Sequence, residues 1–147
     1  MNEVLYQKDY YGWLQTNAQL IREKKFSEID AENIAEELES MGKSEKRELS
    51  NRLTLLLMHL LKWQYQTVKR STSWRNTIAV QRIDIQELLE DSPSLKNEIS
   101  DRIVIAYEKA KLAAEIETGI EKQNFPAKCP FSIGQILDET FLPENQN

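Results

Sequence analysis

From Ser44 to about Arg70 the chain runs without a glycine or a proline, and at 1.5 Å per residue this makes one helix on the order of 40 Å long. Leu49, Leu53, Leu56, Leu60 and Trp63 recur by fours and threes along it. Leu55, Leu57, Met58 and Leu61 fill the remaining sides. A helix that is apolar nearly all round belongs at the centre of a bundle, so the segment predicts a spine with shorter helices wrapped about it.

The rest of the chain agrees with an all-α reading. All four prolines, Pro93, Pro126, Pro130 and Pro143, lie after residue 90, and no β-branched run bounded by turn residues marks a strand. The 147 residues are 40% hydrophobic and 29% charged, which is the balance of a folding chain and the length of one domain. The expectation is a single all-helical domain over residues 1–147, with about five main helices and a short C-terminal one. Residues 1–8 and 144–147 are expected to fray.

Local signals place the elements. Asp9 caps a helix over about 9–23 with Trp13, Leu14, Leu20 and Ile21 repeating on one face, and Asp30 caps Ala31 to Met41. Gly42 should stop or bend that helix. Ser71-Thr72-Ser73 caps a helix reaching about Asp91, and Ser92-Pro93 starts another through Leu95, Ile99, Ile103, Ala106, Ala110 and Ala113. Gly119 is a left-handed cap. Residues 120–132 form an irregular strap, after which Ser132 and Gln135 make a capping box for a helix over 133–140.

A lone cysteine, Cys129, excludes an internal disulfide and any cysteine-rich metal cluster. The first ten residues carry Glu3, Lys8 and Asp9 with no signal-like apolar core, and nowhere do eighteen apolar residues run together. The expected location is therefore the cytoplasm, with no membrane partner. No cofactor is expected.

Charge is unevenly spread. No acid lies between Glu48 and Asp84, yet Arg52, Lys62, Lys69, Arg70, Arg75 and Arg82 all do, although the whole chain is at −5. Trp63, Tyr65 and Trp74 share the stretch, and cations beside aromatic rings can hold phosphates and stack on bases. The candidate binding residues are Lys62, Trp63, Lys69, Arg70, Trp74, Arg75 and Arg82. The leading functional reading is a non-enzymatic module that binds an acidic protein partner. Nucleic acid stands second, because a pI near 5.1 supplies no general attraction for it. A bland alternative has the acids Glu32, Glu36, Glu37 and Glu39 neutralising the same cations within the bundle.

His59, the only histidine, borders this basic face. As a functional group it would work with Glu36 or Glu37 as a catalytic pair, or bind a metal with Glu36 and Glu39, which lie three apart. Against a metal, the Glu-x-x-His spacing of di-iron bundles fails, since Leu56 precedes His59 by three, and Lys62 and Arg52 would repel a cation. A hydrogen-bonded structural histidine is the simpler reading. Ser71, Thr72 and Ser73 near Arg75 could hold a phosphate at a helix start, although capping suffices to explain them. A cation beside Cys129 would favour its thiolate, whereas packing of the strap is the plainer role. Self-association through Trp13 with Leu20, or through the strap aromatics, makes a homo-oligomer the remaining alternative.

Several phrases are similar in order and spacing to a bacterial family, domain of unknown function twenty-nine. They are Asp9-Tyr10-Tyr11-Gly12-Trp13, Glu32-Asn33-Ile34-Ala35-Glu36-Glu37-Leu38-Glu39, Met41-Gly42-Lys43-Ser44-Glu45 and His59-Leu60-Leu61-Lys62-Trp63-Gln64-Tyr65-Gln66. Ser73-Trp74-Arg75-Asn76-Thr77-Ile78, Ser92-Pro93-Ser94-Leu95, Phe125-Pro126, Cys129-Pro130-Phe131 and Gln135-Ile136-Leu137-Asp138 continue it. The resemblance implies a compact all-helical bacterial protein and brings no activity or catalytic residue with it.

Overall fold

The computed structural model describes residues 2–144, and it is all-α: α1 (Asn2–Lys8), α2 (Tyr10–Arg22), α3 (Ala31–Tyr65), α4 (Thr72–Asp91), α5 (Ile99–Thr118) and α6 (Ile133–Leu137), with short 3-10 turns between. No strand occurs among the described residues. The chain divides into two compact units, residues 1–44 and 45–147.

In the first unit the Asp9 carboxylate accepts the Gly12 N–H at 3.0 Å and so starts α2. A Cβ on residue 12 would stand 2.4 Å from that carboxylate, so glycine is what lets the cap close. Residues 2–8, expected to fray, are helical, because Tyr6 packs on Trp13 with ring centroids 4.6 Å apart and donates to Glu37. Residues 145–147 lie outside the described part. Lys24 closes the turn after α2 with φ +59°. A buried polar knot joins α2 to α3: Trp13 Nε1 donates to Asp30 at 2.9 Å, and the Asp30 N–H donates to Asn17 at 2.9 Å. Tyr10 and Tyr6 both donate to Glu37 further along, so the two helices run antiparallel. Trp13 is the one apolar side chain buried here among the described residues.

Gly42 does not break α3, which corrects the expected stop. A glycine inside a helix costs about 1 kcal/mol against alanine, and the leucines downstream outweigh it. The 35-residue helix is about 52 Å long and ends at Tyr65 rather than near Arg70, where Gln66 leaves helical geometry (φ −126°, ψ 64°).

The second unit holds the core. Leu49, Leu53, Leu56, Leu57, Leu60 and Leu61 expose no surface, and each burial contributes roughly 2 kcal/mol. They pack in one cluster with Ile78, Ile85 and Leu89 of α4, with Ile103, Ala106 and Ala110 of α5, with Phe125 and Phe131 of the strap, and with Ile136 of α6. Ser71 caps α4, accepting the Trp74 N–H at 3.1 Å. Pro93 begins a 3-10 turn, so α5 starts only at Ile99. Gly119 ends α5 at φ +77°, and the Ser132–Gln135 capping box starts α6. No helix of the described residues is long and apolar enough to cross a membrane.

Candidate anion-binding site

The turn from α3 into α4 lies in the second unit, and it decides which basic residues are available. After Tyr65 the chain makes a 3-10 turn over Thr67–Lys69, Arg70 is extended, and α4 begins at Thr72. This reversal carries Arg70 and Arg75 back over Trp63, whose indole is buried at the end of the spine. The Arg70 guanidinium lies 4.8 Å from the Trp63 ring centroid and that of Arg75 lies 5.5 Å from it. Arg70 Nε also donates to the Trp63 carbonyl at 2.8 Å, which fixes the guanidinium plane. Its Nη2 is buried with no hydrogen-bond partner among the described residues.

Together Trp63, Arg70, Ser71, Thr72 and Arg75 line a cavity of about 390 Å³. No carboxylate lines it, and neither arginine makes an ion pair among the described residues. Two arginines, Ser71 and Thr72 therefore line a space with no negative charge of its own. Such a set fits an anionic group, because arginine forks match carboxylate and phosphate geometry.

Lys62, Arg82 and Arg52 are engaged elsewhere. Lys62 is buried, pairs with Glu117, and stands 4.5 Å above the Trp74 ring, so this lysine and tryptophan complete each other. Arg82 is 3% exposed and donates to the carbonyls of Ile136, Phe141 and Gln135 at 2.8, 2.8 and 3.2 Å. It is a structural clamp on α6 and the segment after it, and its assignment to a binding face is corrected. Arg52 bridges Glu48 and Asp84, both at 2.9 Å. Lys69 is exposed beside the cleft without lining it. The sequence offered Glu32, Glu36, Glu37 and Glu39 as neutralising acids, but the carboxylates that meet these cations are Glu48, Asp84 and Glu117.

His59 is buried, and its Nδ1 lies 2.9 Å from the Leu55 carbonyl. Burial lowers its pKa, with nearby Lys62 adding to the effect. Among the described residues no group of three His, Cys, Asp or Glu side chains is placed to hold a metal ion. Glu36 and Glu39 are exposed in the first unit. Glu37 accepts the hydroxyls of both Tyr6 and Tyr10, which lowers its pKa, and the bond to Glu37 pushes Tyr6 up to about 12. That tyrosine clamp left no sequence signal, since its members lie 27 and 31 residues apart.

A larger cavity of about 500 Å³ runs between α5 and the strap, past Ile103, Tyr107, Cys129 and Phe131. Two of its polar groups bond within the chain. The Tyr107 hydroxyl donates to Pro126 and the Cys129 thiol to Phe131. Burial raises the Cys129 pKa, against the acidic thiol suggested by Lys128.

An all-α chain with its core gathered on the second half of one long helix defines the class of protein. Within that class the chain belongs to the family described as Domain of unknown function DUF29, whose model matches residues 5–142. No curated protein and no solved structure matches the chain.

Proposed function

We propose that this protein is a non-enzymatic interaction module, which grips an anionic group of an acidic protein partner between Arg70 and Arg75. The observation that carries the reading is the pair of guanidinium groups held over Trp63 at the mouth of a cavity with no acid in its lining. Trp63 holds the two cations from one side, and each keeps donors for a ligand. The net charge of −5 repels nucleic acid at long range, whereas an acidic side chain needs only the local cleft.

Fluorescence titration with a glutamate-rich peptide, with inorganic phosphate, and with RNA and DNA tests the reading. Saturable binding of the peptide is expected, weakened roughly tenfold by Arg70→Gln or Arg75→Gln and left unchanged by Arg52→Gln. No binding, or binding indifferent to Arg70 and Arg75, removes the proposal. A marked preference for RNA or DNA would assign the cleft to nucleic acid instead.

A further inference from the structure

The first unit leaves an apolar face open. On α2, Tyr11, Leu14 and Ile21 are 69%, 40% and 41% exposed, with Ala18 half-buried between them. On α3, Leu38 and Met41 are 63% and 64% exposed, and Ile34 is half-buried in line with them. Positions 11, 14, 18 and 21 form one stripe, and 34, 38 and 41 form another.

The two stripes share one side of the hairpin. Trp13 and Asn17 point from α2 toward α3, while Asn33 and Glu37 point back. At 3.6 residues per turn each stripe lies about a quarter turn round from those inward groups, in the sense of increasing residue number. Because the helices run antiparallel, the same sense of rotation in each brings both stripes to the same flank.

We infer that this flank packs against the same flank of a second copy of the chain, closing an antiparallel four-helix bundle about a two-fold axis. Three observations single out that occupant. Trp13 is the one apolar side chain buried in the unit among the described residues, so the hairpin lacks a core that a copy would supply. Five large side chains of roughly 200 Å² each, exposed as above, offer on the order of 550 Å² per copy, and the half-buried Ile34 and Ala18 extend this toward a standard interface. Charge then selects the register. α2 carries a single charge, Arg22, whereas Ala31 to Gly42 of α3 carries Glu32, Glu36, Glu37 and Glu39 and no cation. A two-fold axis parallel to the helices lays α2 of each copy over α3 of the other and keeps the acids apart. The perpendicular axis would set α3 on α3, acid against acid, at a cost.

Sedimentation equilibrium of the full chain across concentration tests this, and the expected result is a reversible dimer. Leu38→Glu with Met41→Glu, two positions exposed in the single chain, should raise the dissociation constant by at least roughly thirtyfold with circular dichroism unchanged. Val68→Glu, at a site 94% exposed in the other unit, should leave it alone. In a Cys129→Ser background, copies bearing Tyr11→Cys mixed with copies bearing Leu38→Cys should oxidise mainly to the mixed disulfide. A chain monomeric at every concentration, even if another protein then binds the face, overturns the inference. So does a dimer indifferent to Leu38 and Met41, or one whose Leu38→Cys copies cross-link chiefly to each other.

Discussion

Trp13 and Asp30 meet in a buried hydrogen bond, indole N–H to carboxylate, at 2.9 Å. Asn33 donates to the same carboxylate at 2.8 Å, so the charge is carried by oriented donors. Asp30→Ala leaves the indole and amide donors without their acceptor, and a loss of about 2 kcal/mol is expected. Trp13→Phe removes one donor and keeps most of the ring, and should cost less. The hydrogen bond from Asn33, reinforced by Trp13, lowers the Asp30 pKa below its ordinary 3.8. The stability it contributes is present above 3.8 and is lost as pH falls through the lower folded value. Amide hydrogen exchange along α2 at neutral and acid pH reads both effects.

Arg82→Met should be among the most damaging single changes in the second unit. It strips three backbone carbonyls of a charged donor at once, and the expected loss is about 3 kcal/mol or more. Urea unfolding measures it. A change within 0.5 kcal/mol, the range of ordinary surface substitutions, would show that the clamp contributes little.

His59 gives the molecule a sensitivity to mild acid. Burial lowers its pKa from 6.5, with Lys62 acting the same way, while the Leu55 carbonyl and Glu117 oppose the shift. The unfolded chain takes up the proton first, so stability should decline as pH drops from 6.5 toward the folded value. His59→Gln should flatten that decline. Thermal unfolding followed across this window, wild type against variant, decides it; parallel profiles would absolve the histidine.

Two backbone positions predict effects of opposite sign. Gly119 sits at φ +77°, so Gly119→Ala should destabilise by about 1 kcal/mol. Lys24 occupies φ +59° with a side chain, and Lys24→Gly should stabilise by a few tenths to about 1 kcal/mol, as left-handed geometry suits glycine. Differential scanning calorimetry compares the pair.

Much of this architecture was legible because it is written locally. Asp9, Ser71, Gly119 and the Ser132–Gln135 box act within four residues of themselves, and the Leu49–Trp63 periodicity names its own burial. What escaped was decided at a distance or by small differences. Gly42 reads as a stop, yet its modest cost is overridden by the helix around it. The basic stretch reads as six equivalent cations. Folding sorts them, because Glu117 takes Lys62 from 55 residues away and the carbonyls of Gln135, Ile136 and Phe141 take Arg82 from 53 to 59 away. Arg70 and Arg75 remained for the cleft because the turn after Tyr65 lays them on an indole, and no spacing rule announces such a turn.

The three carbonyls around Arg82 make the end of the chain a condition of the middle's integrity. A protein clipped after Gly134 would keep α3, α4 and α5 in sequence and yet take from Arg82 all three of these carbonyls, together with the buried Ile136. Loss of the tail should therefore be felt as collapse of the body, and a protease acting there would leave fragments rather than a trimmed and working molecule.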